Sequence, residues 1–311
     1  MRDSSPSACA RRLGVTARAE AETSSPLLDD ELAGLDALEV HEPQPKSLLG
    51  RIWAGAWPPL AAVALVIALW ELVVLTGWRP EYAFPPPGRV FARFFTDIAS
   101  GELLRATAVT MRRAAVGYGL ALIIGCGLGI AIAHFKLLRK AFGALVTGLQ
   151  TMPSIAWFPL ALLLFQLGEG AILFVVILGA APAVANGLIN GIDHVPPVLL
   201  RAGKMMGARG LSAYRHVVLP AALPSFVGGL KQGWAFAWRS LMAGELLGVV
   251  ANQDAIGFRL QLAREFSDVE GVVSTMILIL LIGIIVDLLV FGTMEQAVKR
   301  RWGLIDPATA E

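Results

Sequence analysis

Six stretches of this chain are apolar over lengths that a water-soluble core helix does not need: Pro59 to Thr76, Ala114 to Ala133, Phe142 to Phe165, Ala171 to Ile189, Pro220 to Val249 and Val272 to Met294. A helix rises about 1.5 Å per residue, so about 20 residues cross the roughly 30 Å of bilayer hydrocarbon. The composition agrees: 56% of the residues are hydrophobic and 16% charged, where a soluble domain of this size carries about a quarter charged. These blocks predict an all-α polytopic membrane protein with six transmembrane helices. The second is rich in glycine (Gly117, Gly119, Gly125, Gly127, Gly129), which favours close helix packing over lipid contact.

The loops set the orientation. With the N-terminus inside, the inner segments hold Lys136, Arg139 and Lys140; Arg201, Lys204, Arg209 and Arg215; and Lys299, Arg300 and Arg301. The outer segments around Glu169 and from Asn252 to Glu270 are mostly acidic, so both termini are expected in the cytoplasm. Residues 79–113 depart from the rule, placing Arg79, Arg89, Arg93, Arg105, Arg112 and Arg113 outside. The first half, Pro85 to Ile98, reads as a proline-initiated amphipathic helix at the interface, with Val90, Phe91, Phe94 and Phe95 on its apolar side. The resulting organisation is a polar, disordered cytoplasmic tail at 1–50, a first span at 51–78, a periplasmic interfacial segment at 79–113, a core of five spans at 114–304 and a short cytoplasmic tail at 305–311. Within the first tail, Leu27 to Val40 could form a short amphipathic helix.

The chain offers little for catalysis. Cys9 and Cys126 lie in unrelated contexts, and His41, His134, His194 and His216 all fall outside the apolar blocks. No metal site, disulfide framework or catalytic constellation is indicated, and the net charge of +2 is too small to suggest nucleic acid. There is also no Gly-x4-Gly-Lys-Ser/Thr phosphate loop. A membrane enzyme should place its nucleophile, base or metal ligands within the spans. A secondary transporter should show internal repeats and interrupted helices with an ion relay, and no convincing repeat is found.

The most informative segment is the inner loop at 193–220. Pro196 and Pro197 suit the first turn of a helix, and Asp193 suits its positive end. Gly207 and Gly210 permit a sharp turn. Ser212 is placed to cap a second short helix ending where Pro220 opens the fifth span. Two short helices at an angle, exposing Met205 and Met206, would form a knob for a partner's groove.

Here the chain resembles the EAA loop of ABC importer permeases. Ala202, Gly207, Leu219 and Pro220 match that pattern at its spacing; Arg201 stands where it has Glu, Gly203 where it has Ala and Val217 where it has Ile. The resemblance runs from about Phe84 to Leu304 and points to the nitrate, sulfonate and taurine permeases. Phe84-Pro-Pro-Pro-Gly-Arg-Val is similar to their proline-rich entry. Pro153-Ser-Ile-Ala-Trp157-Phe-Pro159-Leu, followed by Gly168-Glu169, is similar to their third-span signature, with Gln166 where Gly is expected. Leu219-Pro-Ala-Ala-Leu-Pro224, then Ala237-Trp238 and Glu245, is similar to their fifth span.

The resemblance implies a type I ABC importer permease fold with cytoplasmic coupling helices, sited in a bacterial inner membrane. It implies a second permease copy, by default a homodimer, and an extracytoplasmic solute-binding protein. It also implies a separate ATPase dimer, so that ATP and Mg are bound there and this chain itself carries no cofactor. The ATPase-coupling residues are then Arg201, Ala202, Gly203, Met205, Met206, Gly207, Val217, Leu219 and Pro220. The implied solute is a small anion, an aliphatic sulfonate or taurine first, then nitrate, with bicarbonate, cyanate or a thiamine-precursor pyrimidine as further options. Charges inside a span cost about 2.5 to 3.5 kcal/mol each, so Lys231, Arg239 and Glu245 call for explanation. With Trp234 and Trp238 they are read as the lining of a translocation pathway, the competing reading being that they pair with neighbouring helices. Glu71 and Asp287 are read as interhelical hydrogen-bonding groups. Trp70, Trp78 and Trp302 suit an aromatic belt.

Overall fold

The computed structural model describes residues 48–248 and 254–302, with residues 48–56 described only as part of a helix. The expected tails, including Leu27 to Val40, lie outside the described residues except for 48–50, which open α1 and so are helical. The chain divides at Pro59 into a first unit, of which only the start of a helix is described, and a second unit, Leu60–Glu311. The described elements are helical: α1 Leu48–Leu75, α2 Pro87–Ala99, α3 Glu102–His134, α4 Lys136–Thr151, α5 Phe158–Phe165, α6 Glu169–Asp193, α7 Pro197–Met205, α8 Leu219–Leu246, α9 Ile256–Glu265, α10 Val269–Val286 and α11 Thr293–Arg301. A π-helical turn, Asp287–Gly292, joins α10 to α11 without a break.

The bundle is organised around α6. Its partner α3 presents Gly117, Gly125 and Gly129, where an added Cβ would come within 2.8 Å of Val176, 2.7 Å of the Ala181 carbonyl oxygen and 3.1 Å of the Ala185 carbonyl oxygen. Contacts that rise together along both helices mean that α3 and α6 run parallel. The expected close packing therefore belongs to three of the five glycines; Gly119 and Gly127 have open space beside them. On α8 the order reverses: Ser240 meets Gly179, Gly229 meets Gly187 backbone to backbone, and Ala222 meets Gly191. α8 is thus antiparallel to α6 and covers nearly its whole length.

Among the described residues, four helices are long and apolar enough to cross a membrane: α1 from Trp57, α3, α6, and α10 with its continuation to Arg301. A bent pair, α4 with the 154–165 segment, makes a fifth. The expected span over Phe142 to Phe165 is therefore broken, and its halves are bent by 105°. The cause is local. Proline disfavours helical geometry in the residue before it and has no N–H to donate, and Met152, ahead of Pro153, is extended at φ −76°, ψ 126°. The broken segment still makes one net crossing. Arg139 near its start pairs with Asp193 at one end of α6, Gln150 donates to the Pro182 carbonyl oxygen midway, and Phe165 packs on Phe174 near the other end. α8 is the expected span that fails on apolarity alone, because Lys231, Arg239 and Glu245 interrupt it; lying along α6, it traverses the same layer.

Other expectations are corrected. α3 begins at Glu102, so its first three turns take over the end of the segment assigned to 79–113. The segment after α8, for which no helix was expected or excluded, contains α9. The apolar side of α2 is only partly an interface surface: Val90 and Phe94 are buried in protein while Phe95 is exposed. Trp70, on α1, donates to the Pro85 carbonyl oxygen and packs against Phe84 and Phe91, so it anchors the proline-rich entry as well as marking a span end. Glu71 has no hydrogen bond or ion pair among the described residues, whereas Asp287 pairs with Lys231 on α8.

Candidate functional site

The nine residues expected to couple to an ATPase come together at the Asp193 end of the bundle. α7 starts at Pro197 and closes on a glycine-stabilised stop: the Ala208 N–H donates to the Gly203 carbonyl oxygen and the Gly207 N–H to that of Lys204. Gly207 has φ +85°, the left-handed geometry that glycine adopts without a Cβ penalty. Gly210, at φ 55°, makes the second bend. From Leu211 the chain is helical through a π turn, Tyr214–Val218, and on into α8 without a stop at Pro220. The expected second short helix is therefore the leading end of α8, and Ser212 lies inside its first turn rather than capping it. Pro220 is tolerated within this continuous helix because the π turn just before it already interrupts the regular hydrogen-bond ladder in which its missing N–H would take part.

The elbow is held from below and bare at its tip. Gly203 is buried against Val217, and a Cβ there would lie 2.7 Å from Val217 Cγ2. His134 at the end of α3 packs on Tyr214, with ring centroids 5.6 Å apart. Arg201 and Ala202 face outward. Met205, Met206 and Leu211 are 90%, 81% and 86% exposed. Beside them lies a groove of ≈ 520 Å³ lined by Leu199, Ala202, Met206, Val217, Pro220 and Trp302.

Four of the five expected pathway residues, Lys231, Trp234, Trp238 and Arg239, line one cavity of ≈ 500 Å³ between α8 and α10, together with Gln232 and Asp287. Lys231 Nζ lies 2.9 Å from Asp287 Oδ1, and both side chains are about half exposed. Trp234 and Trp238 stack at 6.0 Å. The Arg239 guanidinium sits 4.7 Å from the Phe236 ring centroid, and its Nε donates to the Ala235 carbonyl oxygen.

Glu245 does not join this cavity. It lies 14 residues beyond Lys231, about 21 Å along the helix, with a fully buried side chain. Its carboxylate accepts from Arg113 at 3.1 Å, from Thr110 Oγ1 at 2.9 Å and from the Gly257 N–H at 3.1 Å. Thr110 in turn accepts from the Ile256 N–H at 3.0 Å, and Arg113 reaches Glu169 at 3.4 Å. One carboxylate thus ties α3, α8 and α9 together, because a buried charge must have its hydrogen-bonding capacity filled.

Sequence reasoning missed Thr110, Arg113 and Glu169 as members of this cluster, although the surplus of outer arginines was the available signal. Four of those six arginines pair with carboxylates. Arg89 pairs with Glu81, Arg93 with Asp97 and Asp268, and Arg112 and Arg113 with Glu169. Outside the spans, the hydrogen bond that Arg93 donates to Asp97 holds its guanidinium still more firmly protonated than usual.

Known proteins agree with this architecture. Among solved structures, the MetNI methionine ABC transporter in an inward-facing conformation is similar, with TM-score 0.55 and 19% identity over 65% of this chain and 98% of that one, a likeness of fold. A Methanocaldococcus jannaschii protein named as an ABC transporter permease is 30% identical over 228 residues, 72% of this chain and 84% of its own. An Escherichia coli protein named as the aliphatic sulfonates transport permease SsuC is 29% identical over 78% of this chain and 89% of its own. A Chloroflexus aurantiacus protein named as the riboflavin transport permease RibX is 29% identical over 68% and 79%. Residues 119–299 match the sequence profile of one family across α3 to α11. The chain belongs to that family, the binding-protein-dependent transport system inner membrane components.

Proposed function

We propose that this chain forms, with a second copy of itself, the membrane path of an ABC importer for a small anionic solute, an aliphatic sulfonate or taurine before others. A separate ATPase dimer docks on the elbow from Pro197 to Leu211 and binds the ATP and Mg, and an extracytoplasmic binding protein delivers the solute. The positive-inside pattern puts the elbow and both termini in the cytoplasm.

The observation that carries this reading is the bare elbow. Three large apolar side chains, Met205, Met206 and Leu211, stand at its tip beside an apolar groove. Methionine adapts to an irregular partner surface, and the elbow is wired to α3 through His134 and to α8 through an unbroken helix. A push on the elbow therefore moves bundle helices. The anionic solute is supported by Lys231 and Arg239 in the cavity and by the relatives named for aliphatic sulfonates, at 29%, and taurine, at 26% identity. The riboflavin-named relative at 29% identity supports, as a second reading, the same role for another organic solute.

Affinity purification of the tagged chain in mild detergent tests the docking. An ATPase subunit should come with the wild type. Met205→Glu combined with Met206→Glu should insert normally and retain about tenfold less ATPase or worse, since burying one methionine side chain in a partner's groove is worth roughly 1.5–3 kcal/mol. A wild-type chain that brings no nucleotide-hydrolysing partner would sink the proposal.

A further inference from the structure

The Lys231–Asp287 pair sits in the middle of the span, yet it is half exposed to a cavity. Three charges face that cavity: the ammonium of Lys231, the guanidinium of Arg239 and the carboxylate of Asp287. Their sum is +1, so one monoanion would leave the site neutral. Lipid cannot be the intended neighbour, because a charge at that depth is strongly disfavoured against hydrocarbon. The opposite side of α8 is already filled, with Gly229 against Gly187 and Ser240 against Gly179.

Exposure distinguishes this ion pair from the other one on α8. Arg113–Glu245 is sealed, its side chains 4% and 0% exposed; parting them would strand a buried charge. Lys231 and Asp287 are 46% and 42% exposed, so parting them leaves each charge open to the cavity and not stranded in protein. The backbone at Asp287 is also irregular. The residue opens the π-helical turn Asp287–Gly292, a geometry that recurs at functional sites because it interrupts the regular helix ladder. Phe291 of the same turn packs on Trp234, with ring centroids 6.4 Å apart, so a shift of the turn would be felt in the cavity wall.

We infer that Lys231 and Asp287 form an exchangeable lock on an anion site: a small organic monoanion of the sulfonate type displaces the Asp287 carboxylate from the Lys231 ammonium and binds between Lys231 and Arg239, with its alkyl part against Trp234 and Trp238. This rests on the importer reading and adds to it a named site and an internal competitor for the solute. A cavity of ≈ 500 Å³ is of the size that holds small ligands. Asp287 acts as a stand-in ligand that keeps the cation neutralised between solutes.

The test uses the permease–ATPase complex in lipid nanodiscs, binding radiolabelled ethanesulfonate, with ethyl methyl sulfone as an uncharged competitor of similar shape. Removing the competing carboxylate in Asp287→Asn should tighten binding about tenfold, and Lys231→Gln should weaken it about tenfold or more, the scale of one charge-assisted contact. Lys231→Asp combined with Asp287→Lys returns a cation to the site and should bind within about threefold of wild type. The idea is overturned if both single variants shift binding in the same direction, if Asp287→Asn leaves it unchanged, or if the sulfone competes as well as unlabelled ethanesulfonate. Should the single variants fail to assemble, the exchanged pair decides: an assembled complex that binds no ethanesulfonate overturns the site. Absence of an ATPase from the wild-type preparation would instead defeat the importer reading, and co-purification reports on that separately.

Discussion

Arg113 and Arg112 are neighbours in sequence and opposites in energy. Arg113 is 4% exposed and bonded to the buried Glu245, whereas Arg112 is 69% exposed and reaches Glu169 at 3.6 Å. Arg113→Ala should therefore cost about 3–5 kcal/mol by leaving Glu245 charged and unpaired in the interior, and Arg112→Ala about 0–1 kcal/mol. Thermal unfolding of the detergent-solubilised variants separates the two; equal shifts in Tm would contradict the network. Both arginines were visible in the sequence as violations of the charge rule. What resolves them was not visible, because Glu169 and Glu245 are 56 and 132 residues from Arg113. Gln166 tells the reverse story. The family pattern led to an expectation of glycine there, and the backbone agrees with the pattern: Gln166 adopts φ 56°, ψ −160°, a region that favours residues lacking a Cβ.

Among the elements, α6 and α8 meet where neither has a side chain. A Cβ on Gly187 would overlap the Gly229 backbone, while Gly228, one residue away, has no atom within 4 Å. Gly187→Ala should destabilise by about 1–3 kcal/mol through overpacking. Gly228→Ala should be neutral or stabilise by about 0.5–1 kcal/mol through the better helix propensity of alanine. Tm measurements on the same solubilised protein check the contrast, and two variants of equal stability would refute the close approach. Glycine content predicted that helices pack tightly, but not which glycine meets which neighbour: Gly117 and Gly119 are alike in composition, yet one faces α6 and the other faces open space. The break at Pro153 shows a different limit. Hydropathy averages across a proline, so Phe142 to Phe165 reads as one span, while the covalent geometry of the Met152–Pro153 bond divides it.

For the whole molecule, the parallel course of α3 and α6 and the antiparallel course of α8 place the elbow at one end and α9 at the other. In a background lacking Cys9 and Cys126, Ser212→Cys and Arg264→Cys should be labelled by a membrane-impermeant maleimide from opposite sides of the membrane. Labelling of both from one side would refute the arrangement. The apolar blocks, the proline and glycine punctuation and the spacing before Pro220 are local properties, and by themselves they determined the helical class, the family and the position of the elbow. Three outcomes belonged to the tertiary structure alone: the partnering of Glu245 with Arg113, its separation from Lys231, and the confrontation of Lys231 with Asp287. The reason is physical. Hydropathy and helix signals depend on residues within a few turns of one another, whereas the energy of a charge inside a membrane depends on which distant group the packed helices bring to its side.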